Sequence, residues 1–227
     1  MHAVPSVVDT SIPGSATPPN DLAGFAGIYG NYTAPLKAEW ISGGVLMLHT
    51  WSKDGWQPTD GGTGHFTLRS DGWWWAEDGS LPNYRFEHVD AEDNGIPVRY
   101  RYLIMRAVPG FGYHYFTMPI GQLLSPLEPL STAWTARLGT SWRITNDHPE
   151  SIEELLENKP MALDTLPELL GYVLFGDAQL LIPFSDSRAG MSVKIPGNYG
   201  RDLHEIVITP AAGSDVLQIG NSLYAKV

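Results

Sequence analysis

The 227 residues carry 25 Asp and Glu against 14 Lys and Arg, a net charge of −11, with no two basic side chains adjacent anywhere. A phosphate backbone or an anionic membrane surface is held by clustered positive charge, so nucleic acid and lipid surfaces are poor partners. The chain has no Cys, which removes disulfides, zinc–thiolate sites and a cysteine nucleophile. Its 24 Gly and 18 Pro belong to a turn-rich β architecture rather than a helical one.

Residues 1–22 read as a linker or leader. MHAVPSVVDT lacks the basic and apolar regions of an export signal, and SVVDTSIPGSATPPND holds Ser, Pro, Thr and Gly with neither helical nor strand period. No apolar run reaches the roughly 18 residues of a membrane span, so no membrane insertion is expected.

The β signals begin at Leu22 and are densest from Gly43 to Glu77. Val45–Trp51, His65–Arg69 and Trp73–Ala76 are short apolar or alternating runs, separated by Asp54-Gly55, Asp60-Gly61-Gly62 and Asp71-Gly72. Gly accepts the positive φ of a primed turn, and Asp tolerates it while bonding its own backbone, so Asp-Gly between alternating runs marks a hairpin. Asp78-Gly79 and Asn94-Gly95 continue the series. Tyr84, Phe86 and His88 share one strand face. In Val98–Arg106, Val98, Tyr100, Tyr102 and Ile104 face away from Arg99, Arg101, Leu103 and Met105. With Gly112–Met118 the count reaches about eight strands, enough for a small closed barrel whose closure removes free edges.

Ser131–Gly139 breaks the alternation. Ser131 suits an N-cap, Trp134 and Leu138 lie four apart on one helical face, and Gly139 suits the left-handed position after the helix. Ser151–Asn158 reads as a second short helix with Glu153 and Glu154 at its positive end. Strand signals resume after Leu166 with Leu170–Phe175, Gln179–Phe184, Met191–Ile195, Leu203–Thr209, Val216–Ile219 and Leu223–Val227. The expected organisation is a linker over 1–22, a first β unit over 23–145, a helical connection over 146–165 and a second β unit over 166–227. The fold class is all-β, an antiparallel meander closing into one or two barrels with two short helices at the junction. GIYGNY near residue 27 and GYVLFGDAQLLI near residue 171 share a pattern, which leaves two similar barrels open.

The residues announce no reaction. No Ser is followed by Lys three positions on, the spacing that sets an amine one helical turn from a serine nucleophile, and Gly-x-Ser-x-Gly is absent. Tyr29-Gly30-Asn31 reads as turn chemistry. The seven His are scattered without metal-ligand spacing, so neither metal nor cofactor is expected. Two polar loops stand out, Ser185–Arg188 and Gly200–Glu205. They supply Asp186, Arg188, Arg201, Asp202 and His204, which suit an ionic network bracing the loops better than a triad with a neighbouring Ser. Eight Trp are present; Trp73 and Trp75 share a strand face, and with Tyr100 and Tyr102 they form a candidate face for a glycan or apolar ligand. The alternative is that the aromatics fill and cap a barrel.

GFAGIYGNY after a Pro-rich leader, the strand GGVLMLHT, FTLRSDGWW, and later AWTARLGTSW, IPFSDSRAGMSVKIPG and GRDLHEIVI carry a resemblance. In these the chain resembles the C-terminal region of bacterial beta-lactamase-related serine hydrolases, the penicillin-binding-protein-like family, several of which carry one or two lipocalin-like β-barrels after the catalytic domain. The resemblance covers nearly everything after residue 22. It implies an accessory domain that shapes substrate access or assembly, a serine hydrolase catalytic domain as partner in cis upstream or in trans, homo-oligomers as one mode of assembly, and a periplasmic or secreted parent. The Ser-x-x-Lys half of the family is missing, so no catalytic residue carries over. Two rivals remain open: a free-standing barrel binding a glycan, peptide or apolar ligand through the Trp/Tyr face, and a lone enzyme built on Asp186, Asp202 and His204.

Overall fold

The computed structural model describes residues 11–30, 34–59, 63–80, 82–93, 95–107, 116–145, 159–176, 179–191, 193, 205–211 and 214–227. The chain divides into two units, the second of which takes the short segment Gly30–Pro35 together with everything from Ser125 onward. Each unit is an antiparallel meander that returns on itself.

The first unit holds β1 (Gly27–Gly30), β2 (Leu36–Ile41), β3 (Val45–Ser52), β4 (Gly55–Pro58), β5 (His65–Leu68), β6 (Trp74–Ala76), β7 (Asn83–Asp93), β8 (Ile96–Ala107) and β9 (Phe116–Leu123). The order β2-β1-β9-β8-β7-β6-β5-β3 closes because β2 also pairs with β3, so eight strands make a ring whose neighbours are consecutive in sequence except at β1–β9, which joins first strand to last, and at β5–β3, which skips β4. β4 folds back on the second half of β3, from Ser52↔Gly55 to His49↔Pro58, while β5 takes the first half at Leu46↔Phe66 and Met47↔His65. One side of β3 thus serves two partners in succession. The switch needs Gly64: its φ is +68°, its carbonyl accepts from Leu48 N–H at 2.9 Å, and a β-carbon there would lie 2.6 Å from the Leu48 oxygen.

Alternation decides what fills the ring. Leu36 and Ala38, Leu46 and Leu48, Phe66 and Leu68, Trp74, Tyr84 and Leu103 point inward from successive strands, with Trp40, Phe86 and Met105 packed against them. Trp40, Trp74 and Phe86 meet with ring centroids 5.3–5.5 Å apart. The interior is therefore occupied by large side chains, as in other small barrels.

Among the described residues the second unit has one short helix, α1 (Thr132–Thr135), followed by β10 (Thr140–Ile144), β11 (Met161–Asp164), β12 (Val173–Phe175), β13 (Gln179–Ser185), β14 (Arg188–Met191), β15 (Glu205–Ala211), β16 (Ser214–Ile219) and β17 (Ser222–Lys226). β10–β17 form a closed eight-stranded barrel in sequence order, sealed by Trp142↔Lys226, Arg143↔Ala225 and Ile144↔Tyr224. Its core includes Trp134, Trp142, Phe175, Leu181, Leu217 and Tyr224.

The all-β meander and its closure follow the sequence expectation, and the number of barrels is two. Several boundaries differ. The main run of the second unit begins at Ser125, not after a connection over 146–165, because β10 and β11 belong to the second barrel. α1 is capped by Ser131 as expected, but its Trp134 is a core residue of that barrel rather than part of a junction. The expected helix at Ser151–Asn158 lies outside the described residues. Nor are residues 11–22 a free linker. Ala16 N–H donates to Leu68 O at 3.0 Å, Ser70 N–H donates to Gly14 O at 2.7 Å, and Leu22 O accepts from Trp40 Nε1 at 2.6 Å. Ile12 covers Gly79, where a β-carbon would fall 2.4 Å from Ile12 Cδ1.

Candidate functional site

Three places gather chemistry. The first is the Trp face. The Trp74↔Tyr84 pair sends Trp74 inward and sets Trp73 beside Arg85, and Trp75 beside Asn83, whose own partner across β8 is Arg106. Asp71 organises the group: Oδ1 accepts from Trp73 N–H at 3.2 Å, both carboxylate oxygens accept from Trp75 Nε1 at 3.2 Å, and Oδ2 accepts from Arg106 Nη2 at 2.8 Å. Arg106 also donates from Nη2 to Asn83 Oδ1 at 2.8 Å. The Arg106 and Arg85 guanidinium carbons lie 4.5 and 4.6 Å from the Trp73 ring centroid, and Arg106 lies 5.2 Å from that of Trp75.

This overturns the idea of an open aromatic platform. Trp73 is 6 % exposed, Trp75 2 % and Tyr102 2 %, while Tyr100 is half-buried with its ring 6.2 Å from that of Tyr102. Trp73 and Trp75 do share one face, where Arg106 lies against both rings. Parity does not reveal the pair of arginines, 12 and 33 positions downstream of Trp73, that barrel register folds over the rings. A cation already stacked on a desolvated indole leaves that face unavailable to a sugar.

The second place is the polar loop at the β13–β14 turn. Trp134 Nε1 donates to Ser185 O at 2.7 Å, and Arg137 donates from Nη1 to Asp186 O and from Nε to Asp215 Oδ2 at 3.2 Å. Arg188 grips Glu205 with both Nε and Nη2, the latter 2.9 Å from Oε2, and its guanidinium carbon lies 5.7 Å from the Phe184 ring centroid. Ser185 Oγ accepts from Ser187 N–H at 3.3 Å, which is turn chemistry. Of the network expected here, Arg188 pairs with Glu205 rather than an Asp, and Asp186 contributes its carbonyl. Arg201, Asp202 and His204 lie outside the described residues. Among the described residues, no three His, Cys, Asp or Glu side chains gather as a metal site requires.

The third is a pair of surface cavities. In the first unit a hollow of about 290 Å³ is bordered by Thr63, His65 and Phe66 on one side and Glu77, Asp78 and Ser80 on the other. The Ser80 side chain and backbone bonds hold the Asp78 carboxyl below the usual carboxylate range. In the second unit a groove of about 450 Å³ lies between the segment Leu127–Ser131 and the end of β13. Apart from the two prolines among residues 126–129, no local pattern signals this groove. Two buried phenols complete the electrostatics. Burial pushes Tyr29 well above its ordinary range and Tyr172 up to about 12; they donate to Phe25 O at 2.7 Å and Ser125 O at 3.1 Å.

Comparison with protein-family models, with curated protein sequences and with solved structures returned no match for this chain.

Proposed function

We propose that the chain is a non-catalytic accessory module, a tandem of two barrels that serves a serine hydrolase catalytic domain supplied in cis or in trans by shaping substrate access or assembly. The observation that carries this reading is that both barrel interiors are filled by their own large side chains: Trp40, Trp74 and Phe86 in one, Trp134, Trp142 and Phe175 in the other. A barrel that carries a small ligand needs an interior cavity, whereas a filled barrel offers its outer surface and loops. The family resemblance of GFAGIYGNY, FTLRSDGWW and IPFSDSRAGMSVKIPG points to the same role. A glycan- or apolar-ligand-binding face at Trp73 and Trp75 loses its main support, since both rings are buried under arginines.

Purified chain is assayed with an activated ester and with a D-amino-acid anilide, alone and after addition of a beta-lactamase-related Ser-x-x-Lys hydrolase. The expected result is no turnover alone and a changed KM of the hydrolase on addition. Burst hydrolysis by the chain alone, abolished in Ser185→Ala or Ser187→Ala, would sink the proposal.

A further inference from the structure

The groove on the second barrel has a chemistry of its own. Its walls are Leu127, Pro129 and Leu130 on one side and Ile182, Pro183 and Phe184 on the other. Among the described residues nine large hydrophobics are exposed, and three of them crowd this one locale: Phe184 at 59 %, Leu170 at 54 % and Leu127 at 37 %. Leu170 belongs to the locale because its carbonyl accepts from Leu127 N–H at 2.9 Å. An apolar cluster of this kind on an otherwise polar surface marks a contact site.

The rim is acidic. Glu128 and Asp186 both border the groove, and both are exposed. The described cations that reach it are already engaged, Arg137 by Asp215 and the Asp186 carbonyl, Arg188 by Glu205 and over one face of Phe184, a ring that stays 59 % exposed for a partner. The groove therefore presents apolar walls between two carboxylates on a chain of net charge −11. That field repels a second copy of this chain and an anionic amphiphile such as a fatty acid, and it attracts a basic partner. The backbone adds a further restriction. β12 pairs with β13 only over Gln179–Leu181, so at the groove Ile182–Ser185 is laddered to β14 alone, and Pro183 has no N–H to offer an added strand. Recognition in the groove therefore rests mainly on side chains inserted between its apolar walls.

We infer that this groove docks an extended polypeptide segment of a partner protein, one that presents a large apolar side chain flanked by Lys or Arg. The inference goes beyond the accessory reading, because the groove chemistry is the same whether or not that partner is a hydrolase.

The test uses the full chain and fluorescence anisotropy with two fluorescein-labelled hexapeptides that share a Leu-Phe core, one flanked by Lys and one by Glu. The Lys peptide is expected to saturate, with the Glu peptide at least about tenfold weaker. Phe184→Ser, at an exposed position, is expected to weaken the Lys peptide roughly tenfold, as loss of an aromatic anchor does. The pair Glu128→Gln with Asp186→Asn should bring the two peptides to within about threefold of each other while circular dichroism stays unchanged. Equal binding of both peptides, or Lys-peptide binding that survives Phe184→Ser, overturns the inference. So does sedimentation showing a dimer that Phe184→Ser dissolves, since a second copy would then be the occupant. The hydrolase assay of the accessory reading is read separately, so either idea can fail alone.

Discussion

The indole nitrogen of Trp134 donates to the carbonyl of Ser185 at 2.7 Å, across 51 residues of sequence. Arg137 lies with its guanidinium carbon 5.4 Å from the centre of the same ring and bonds the next carbonyl, that of Asp186. A four-residue helix thus fixes the β13–β14 turn from within the barrel. The loop most suggestive of catalysis in the sequence is held as a structural corner.

Trp134 should therefore be the dominant residue for the second barrel. It is 1 % exposed and belongs to the core. Trp134→Ala should cost about 3–5 kcal/mol in denaturant unfolding, the range for deleting a buried aromatic. Trp134→Phe keeps most of the ring volume and loses the indole bond, so its excess cost over packing should be about 1 kcal/mol. Equal and small losses in the two variants would mean that the ring does not seal the core.

Asp71 plays the corresponding part in the first barrel, but on the outer face. It binds Trp75 and Arg106, and Arg106 stacks on Trp73. Asp71→Ala should cost about 1.5–3 kcal/mol, the scale of lost hydrogen bonds to a charged group. Arg106→Ala should be strongly non-additive with it, with a coupling of at least ~1 kcal/mol in a double-mutant cycle. Titration with muropeptides or soluble glycans should leave tryptophan fluorescence unchanged. A saturable shift abolished by Trp73→Ala would restore the ligand-face reading.

Much of this was legible in local chemistry. Asp54-Gly55, Asp71-Gly72 and Asp78-Gly79 all lie at turns, and the inward set Phe66, Trp74, Tyr84 and Leu103 follows directly from alternation. Ser131 is the cap that its position before Trp134 suggests. What local pattern does not carry is long-range register. Ring closure depends on the pairing of β1 with β9 and of β10 with β17, and the latter joins residues some 80 positions apart. The unit boundary was misplaced for the same reason. β10 and β11 are five and four residues long, too short for a period to register, and they become strands only because the barrel pairs them. The covering of Trp73 by Arg85 and Arg106 is again a matter of register across three strands.

Alkaline pH should weaken the fold through its phenols. Tyr172 titrates near 10 when free and at about 12 in the folded chain, because burial disfavours the phenolate. A raised pKa means that this contribution is fully present below pH 10 and is lost as pH rises from about 10 to about 12, where the unfolded chain has released its proton and the folded chain retains it. Burial shifts Tyr29 in the same direction. Spectrophotometric titration of tyrosinate should thus show a late, cooperative phase that coincides with loss of near-ultraviolet dichroism. Tyr172→Phe should flatten the pH dependence of denaturant midpoints between pH 10 and 12. An unchanged slope in that variant would assign the alkaline transition to other groups.

The β4–β5 switch gives the sharpest backbone test, because two glycines of similar conformation differ in their surroundings. Gly64 and Gly95 have φ of +68° and +80°, so Ala is strained at either. A β-carbon at Gly95 would meet nothing within 4 Å, whereas one at Gly64 would lie 2.6 Å from the Leu48 carbonyl oxygen, a backbone atom fixed inside the sheet. Gly95→Ala should accordingly cost about 1–2 kcal/mol, the left-handed penalty alone. Part of that cost is offset by the lower entropy of the unfolded chain. Gly64→Ala adds an overpacking cost of about 1–3 kcal/mol, since the oxygen cannot retreat without breaking the Leu48–Gly64 bond that lets β5 follow β4 along β3. Hydrogen exchange would localise the difference. In Gly64→Ala the Leu48 amide should lose protection ahead of the rest of β3, and in Gly95→Ala it should not. Equal costs with Leu48 protected in both variants would show that β3 passes from β5 to β4 without needing this close approach.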